Sequence, residues 1–582
     1  MKPLCIIKST IILWLLSLTT INVNCFIFDW IFGKPKLLEE ITANVTCFND
    51  GECFPRFPMQ QLLKVPIGIF PSSPKKINVA FYSYTCETRF RPHIVSWNES
   101  VESIRNHMPY NPNVPTMFIV HGFQDFYEEM NWMGDMKDFI LKDRNLNNFE
   151  NCKHNVIAVN WKSGSQTTYT HAMANTMVVG DRIARMMRKL ITIYGGSGNN
   201  FTVIGHSLGS HISGFAGAYL KPHSQLRNII ALDPAGPGFN DISEEYRLDP
   251  SDARLVITIH TNGGEVLLDN FGTMEPWGHY NFYPNGGSLQ PGCEKSKGLS
   301  AIFEKGAVEA ITDTVACSHR RATWLVQFND TLLTEAESMA YQCDSYESFL
   351  DGRCGSCDEK DQCKPFHDWF GWWNTQLPPE NFKKPLIYYL NTKSMVPWST
   401  FTWQMKINLF ENGNDGSLRI VPIGTLRNGP PITIDIKKGV STIYKLMTYP
   451  KYLGRIGEVN VTWYPKLFSK NRKIDIKSIE FNFMSNSQKR YRKMLSSNIA
   501  GHIIKSKIET RLGSNNDTTY FFEVIPPSKP TELNNDNNAN ADHNNNNYDQ
   551  PSSEEFENDL SYVKNNPDVS NDYFYESNTH QQ

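Results

Sequence analysis

Short apolar runs alternating with helical and polar stretches fill the first two thirds of the chain. Ile77 to Tyr84, Thr116 to Val120 and Val156 to Trp161 have the length and apolar content of strands. After a polar Ser/Thr/Gln turn, the spacing predicts a helix from about Thr176 to Ile193. Phe201 to Ile204 reads as a buried strand and Ser210 to Tyr219 as the helix that follows it, with further strands over Ile229–Leu232 and Leu255–His260. Buried strands alternating with helices predict an α/β fold with a mainly parallel sheet covered on both faces. From about Phe401 the texture changes. Met405 to Leu409, Ser417 to Val421, Ile432 to Ile436, Asn460 to Tyr464 and Ile479 to Met484 alternate apolar and polar positions between Gly, Asn and Pro turns. That pattern predicts an antiparallel β-sandwich of roughly 120 residues. Beyond about Ser528 the chain is Asn-rich and poor in aliphatics, so it is expected to be disordered.

The 582 residues suffice for more than one domain, and a net charge of -3 argues against bulk nucleic-acid binding. Lys2 and Lys8 flank the start, an apolar run covers Ile11 to Leu18, and Val23-Asn24-Cys25 offers small residues for cleavage. Residues 1–25 are therefore expected to be a signal peptide of a secreted protein. No later run is long enough for a transmembrane segment. The chain has 12 cysteines, of which Cys5 and Cys25 fall inside that leader. Cys47 with Cys53 can close a small loop, and Cys293 with Cys317 a larger one. Cys343, Cys354, Cys357 and Cys363 cluster tightly, as disulfides or, alternatively, as a zinc site, although the paired Cys-x-x-Cys repeat of zinc sites is missing. Asn-x-Ser/Thr sequons start at Asn44, Asn98, Asn200, Asn329, Asn460 and Asn516, so a glycoprotein is expected.

Candidate chemistry centres on Gly205-His206-Ser207-Leu208-Gly209 between the Phe201 strand and the following helix. A strand-to-helix turn this tight needs glycine at its flanks, lifts the Ser207 hydroxyl above the sheet, and aims the Leu208 amide at the position where an oxyanion would develop. Such a serine needs a base, and the base an orienting carboxylate. Asp233 ends the strand Ile229–Leu232, at the carboxyl edge where parallel sheets place their sites. For the base the residues leave His260, His279 and His319 open, with His319 read as a loop histidine tethered beside Cys317.

Residues 120–363 resemble the pancreatic lipase family of secreted α/β-hydrolases. The likeness rests on His121-Gly122-Phe123, Val203 to His211, Leu232-Asp233-Pro234-Ala235, Arg247 to Ala253, Phe282 to Gly287 and Ala316-Cys317-Ser318-His319. It implies Ser207 as nucleophile, His319 as base and then acid, Asp233 as its orienter, and the Phe123 and Leu208 amides as oxyanion hole. It implies a structural Ca2+ held by Glu244, Asp249, Asp252 and the Arg247 carbonyl, and no catalytic cofactor. Oxygen donors within one short loop suit such a hard cation. The implied disulfides are Cys47–Cys53, Cys293–Cys317, Cys343–Cys354 and Cys357–Cys363, with Cys86 and Cys152 left over.

The domains expected on this basis are an α/β-hydrolase over 26–397, a PLAT/C2-like sandwich over 398–527 and a tail over 528–582. By resemblance the sandwich meets a lipid surface or a protein partner such as a colipase. Lys489-Arg490-Tyr491-Arg492-Lys493 carries charge that could meet heparan sulphate or anionic lipid, although a solvated surface is the simpler and favoured reading. Between Cys293 and Cys317 lie residues 294–316, the long form found in the family's triglyceride lipases rather than its phospholipases. Leu299, Ile302, Phe303 and Ile311 fall near one helical face of this segment, an amphipathic lid in the making. The loop from Gly263 to Gly278 is long enough to cover the site as well. The expected function is triacylglycerol lipase acting on lipid esters at an oil–water or membrane interface, with a phospholipase A1 or an inactive lipid-binding protein as alternatives.

Overall fold

The computed structural model describes residues 45–48, 51–58, 68–141, 153–240, 242–264, 270–294, 307–327, 337–359, 361–366, 384–410, 415–466, 473–486, 493, 496–500, 503–505 and 509–512. The expected signal peptide, Cys152, residues 295–306 of the expected lid, Lys489 to Arg492 and the Asn-rich tail lie outside them. Among the described residues no helix is long and apolar enough to cross a membrane.

A small antiparallel pair, β1 (Val45–Cys47) and β2 (Cys53–Pro55), is closed by the Cys47–Cys53 disulfide. The main sheet is built from β3 (Ala80–Tyr84), β4 (His93–Ser96), β5 (Thr116–Val120), β6 (Asn155–Asn160), β7 (Phe201–His206), β8 (Asn228–Leu232), β9 (Leu255–Ile259), β10 (Tyr280–Pro284), β11 (Met339–Gln342), β12 (Cys363–Pro365) and β13 (Leu386–Leu390). Its 11 strands run in the order β12-β11-β13-β10-β9-β8-β7-β5-β6-β3-β4. Strands β13 to β6 of that order are parallel, and the strands flanking them at both edges are antiparallel. The molecule thus has the α/β-hydrolase architecture, with separate antiparallel sheets in its C-terminal region.

The burial of successive residues explains why these strands read as unbroken apolar runs. Phe118, Val120, Val203, Ile229 and Ala231 face one core layer, while Met117, Ile119, Ile204, Ile230 and Leu232 face the other. Among the described residues the α-helices are α1 (Pro74–Ile77), α2 (Val101–His107), α3 (Trp132–Leu141), α4 (Lys162–Ser165), α5 (Tyr169–Tyr194), α6 (Leu208–Leu220), α7 (Ala307–Gln327) and α8 (Tyr346–Leu350). Apolar residues of α5 and α6 fill the first layer, and those of α3 and the end of α7 the second. Both faces of a parallel sheet are thereby removed from water. Between β7 and β5 the order of connection reverses. That is the crevice where open α/β sheets carry their sites.

Two sheets form the C-terminal sandwich: β14 (Phe401–Leu409), β17 (Thr442–Tyr449), β19 (Lys473–Phe483), β20 (Ser497–Ala500) and β21 (Ile503–Lys505) in one, and β15 (Gly416–Gly424), β16 (Ile432–Ile436), β18 (Ile456–Pro465) and β22 (Glu509–Leu512) in the other. Their inward residues, among them Trp403, Ile407, Val461, Trp463 and Phe481, make one buried cluster.

The structure departs from expectation in definite places. Ile77 is not in a strand. Ser73 caps a short helix from Pro74 to Ile77, Asn78 turns the chain at φ 51°, and the strand begins at Ala80. The zinc alternative for the four clustered cysteines is replaced by Cys343–Cys354 and Cys357–Cys363 disulfides. Cys86 is also disulfide-bonded. Of the sequons, Asn98 is exposed, whereas Asn460 lies within β18 with a buried side-chain oxygen.

Three histidines belong to the core. His211 donates through Nε2 to the Ala235 carbonyl at 2.9 Å, accepts at Nδ1 from the Leu248 amide and stacks at 3.6 Å on Phe239. His260 lies 2.8 Å from the Thr273 carbonyl and 2.7 Å from the Thr258 hydroxyl, stacked on Tyr283. His279 accepts from the Val256 amide at 2.9 Å. Burial lowers their pKa values to about 3, about 4 and about 4 respectively. Unfolding returns each to about 6.5, so below that pH the unfolded chain binds more protons. Stability should therefore be complete above about pH 6.5 and decline as pH falls towards 4, by up to roughly 1.4 kcal/mol per histidine and pH unit. Denaturant titrations at pH 7 and pH 5 check this: equal stability at both would show that these histidines are protonated in the fold.

Candidate active site

Ser207 follows β7 in a backbone conformation that side chains rarely adopt, φ 58° and ψ -121°. Its amide donates to the Leu232 carbonyl at 3.0 Å, and its own carbonyl accepts from Ser210 at 3.0 Å and Ala235 at 3.3 Å. A side chain on Gly205 would collide with the Gly209 carbonyl, and one on Gly209 with the Val120 carbonyl at the end of β5. Both glycines are required by close backbone contact. The serine itself is 7% exposed at the opening of α6.

The segment His121-Gly122-Phe123 leaves β5 alongside this turn. A Cβ on Gly122 would stand 2.7 Å from Ser207 Cβ and 3.2 Å from its Oγ, so the loop backbone runs directly against the serine. His121 fixes the loop. Its Nδ1 donates to the Gly122 carbonyl at 3.0 Å, its Nε2 accepts from the Trp161 amide at 3.1 Å, and its ring stacks on Trp161. Burial lowers its pKa, consistent with this neutral ring. The Phe123 ring packs edge-on against Tyr169 at 5.1 Å.

Asp233 follows β8 with φ 43° and is fully buried. Its Oδ1 accepts from the Thr261 and Asn262 amides at 2.7 and 3.0 Å, and its Oδ2 lies 2.5 Å from His319 Nδ1. Gly272 lies over this carboxylate. A Cβ there would come within 2.5 Å of Oδ1, and the Phe271 ring stands edge-on to the His319 ring at 5.6 Å. The 263–278 loop therefore covers the acid, with 265–269 outside the described residues. Of the three candidate bases it is His319 that is bonded to Asp233. His260 and His279 are the core residues described above. His319 is not in a loop as expected but in the third quarter of α7, with Cys317 of the same helix bonded to Cys293. The disulfide anchors a helix rather than a loop end.

Residues that motif reading passed over complete the picture. His206, to which the serine motif assigns no role, lies with Nε2 3.1 Å from the His319 carbonyl oxygen. Gly272 carried no signal beyond its place in a long loop.

For the cation expected near Glu244, Arg247, Asp249 and Asp252, the structure gives a mixed donor set. Asp252 Oδ2 accepts from the Asp249 amide and Asp249 Oδ1 from the Ser251 amide, which brings these two carboxylates together in one turn. Burial first, and then Asp249, raise the Asp252 pKa well above its usual value, the signature of an under-compensated carboxylate. Glu244 stands apart, its side chain 73% exposed and 3.8 Å from the Arg247 guanidinium. Among the described residues no three His, Cys, Asp or Glu side chains form a metal-holding group. Asp249 and Asp252 thus share one turn with donor chemistry suited to a hard cation, while Glu244 is turned to solvent.

The Lipase family model matches residues 40–398. Mouse (Mus musculus) inactive pancreatic lipase-related protein 1 is 34% identical over 460 residues, covering 75% of this chain and 89% of its own. Mouse pancreatic triacylglycerol lipase is 31% identical over 440 residues, covering 75% and 90%. Mouse pancreatic lipase-related protein 2 is 34% identical over 375 residues, covering 64% and 74%. With a serine turn, an acid and a histidine arranged on an α/β-hydrolase sheet, and with relatives aligned along most of its length, the chain belongs to the pancreatic lipase family.

Proposed function

We propose that the protein is a secreted triacylglycerol lipase that hydrolyses lipid esters through an acyl-enzyme. The observation that carries this reading is the Asp233–His319 bond of 2.5 Å beside a serine held at positive φ. With Nδ1 committed to Asp233, His319 has Nε2 left to take the Ser207 proton as the hydroxyl attacks the ester carbonyl. The developing oxyanion would be met by the Phe123 and Leu208 amides, the latter at a helix terminus whose first N–H groups have no intrahelical acceptor. Collapse expels the alcohol, protonated by His319. Water, deprotonated by the same ring, then releases the fatty acid. The disulfides support an oxidising, extracellular setting.

The name of one relative, inactive pancreatic lipase-related protein 1, favours a second reading, a lipid binder without turnover. Against it stands the retained machinery: a serine in a strained turn costs about 1–3 kcal/mol and gives nothing to a binder. Ser207→Ala in purified protein should lower hydrolysis of emulsified triglyceride by several orders of magnitude while the melting temperature stays within a few degrees. A folded alanine variant that keeps most of the activity would remove the assignment, and an inactive wild type would favour the binder.

Calcium is part of the same proposal, as a structural ion on Asp249, Asp252 and the Arg247 carbonyl, with Glu244 drawn in on binding; no step of hydrolysis runs through it. Adding calcium to chelator-treated protein should raise the melting temperature, and Asp249→Asn with Asp252→Asn should abolish that rise. A wild-type melting temperature indifferent to calcium would discard the site.

The triglyceride preference rests on the length of the 294–316 segment. The expected result is weak activity on dissolved ester, a sharp increase once an interface forms, and a higher rate on triglyceride emulsions than on phospholipid vesicles. Faster hydrolysis of vesicles would reassign the protein as a phospholipase A1.

A further inference from the structure

Beside Ser207 stands a buried histidine that the proposed reaction leaves without a task. His206 is 6% exposed, and its Nε2 lies 3.1 Å from the carbonyl oxygen of His319. A carbonyl only accepts, so Nε2 carries the proton and donates. In the middle of α7 that carbonyl already serves the helix, and its second lone pair receives the bond from His206. The two imidazole rings are 4.5 Å apart and tilted by 45°. The Trp132 ring covers His206 edge-on at 5.7 Å. Trp132 is itself fastened twice. Its Nε1 donates to Asp125 at 2.8 Å, and its carbonyl accepts from Gln327, the last residue of α7, at 2.7 Å.

The helix that carries His319 therefore meets the sheet through the residue immediately preceding Ser207. We propose that His206 is a positioning residue: by donating to the His319 carbonyl it ties α7 to the end of β7 and so sets the distance between nucleophile and base. The inference rests on the roles given to Ser207 and His319 above. It also explains why a polar ring occupies an otherwise apolar contact. A phenylalanine would fill the same volume without fixing the helix along its axis. Burial, then the neighbouring His319, lower the His206 pKa to about 3, so the donor stays neutral when His319 takes up its proton. A second cation at this separation would oppose that step.

Three substitutions in the full chain separate donation from packing. His206→Phe keeps the ring and loses the donor. His206→Gln keeps an amide N–H at about the reach of Nε2, whereas His206→Asn is too short. With a soluble p-nitrophenyl ester, Phe and Asn should lower kcat by roughly 30- to 100-fold, the scale of a misplacement near 1 Å, with KM within about threefold. Gln should keep at least about a fifth of wild-type kcat. A second readout needs no turnover. The proton between His319 Nδ1 and Asp233 should give a far-downfield NMR resonance in the wild type and with Gln, and should shift or broaden with Phe and Asn. If Phe does not fold, the Gln and Asn pair decides. Wild-type kcat and an unchanged resonance in Asn and Phe would overturn the proposal, as would a Gln variant that falls as far as Phe. A wild type without esterase turnover would count against the proposed function alone, and the resonance comparison would still test the tie.

Discussion

The site depends first on backbone contacts that exclude any side chain. Gly205 faces the Gly209 carbonyl, Gly209 faces the Val120 carbonyl, and Gly122 runs against Ser207. These approaches press the end of β7, the start of α6 and the end of β5 into one node at the reversal point of the sheet. Ser207 pays for its place with a positive φ, a strain of about 1–3 kcal/mol that three backbone hydrogen bonds hold in check. A methyl group at Gly122 or Gly209 would press the nucleophile turn away from the loop that faces it, and one at Gly205 would part β7 from the start of α6.

Around that node the polar groups are sorted by charge. Asp233 is a fully buried carboxylate stabilised by the Thr261 and Asn262 amides as well as by His319, and it accepts from three N–H groups while facing no water. His206 and His260 are buried near it and His121 at the end of β5, and burial lowers the pKa of each. They supply directional hydrogen bonds without adding charge, so Asp233 has His319 as its imidazole partner.

Helix α7 brings that partner, and it is held at several points. Cys317 bonds to Cys293, Arg321 donates to the Pro291 carbonyl at 2.9 Å and lies over the Trp398 ring at 4.4 Å, and Gln327 reaches Trp132. Trp398 stands just ahead of the sandwich strand β14. The sandwich also meets the main sheet directly: Tyr341 of β11 donates to the Met484 carbonyl at 2.6 Å, and Leu446 and Met484 share a buried cluster with Tyr283 and Tyr389. The two parts of the chain are thus joined through the antiparallel edge of the main sheet.

The sequence alone determined the features that rest on local pattern. Continuous apolar runs marked β5, β6, β7, β8 and β9, because a strand buried on both faces has few polar positions. Alternation marked β14, β15, β16, β18 and β19, because each sandwich sheet buries one face. Ser207 and Asp233 were legible because each ends such a strand. Other elements were not. The edge strands β11 and β12 are only 4 and 3 residues long, too short for any period, and one begins at a disulfide cysteine. The choice among His260, His279 and His319 came from family resemblance rather than from the residues, and the helical setting of His319 was missed. The reason is distance along the chain. Asp233 receives amides from 28 and 29 residues onward and a histidine from 86, and His206 reaches a carbonyl 113 residues away. Local pattern sets which residues can form a strand or a turn; which histidine meets the acid, and which merely fills the core, is decided only when the sheet order brings those strand ends together.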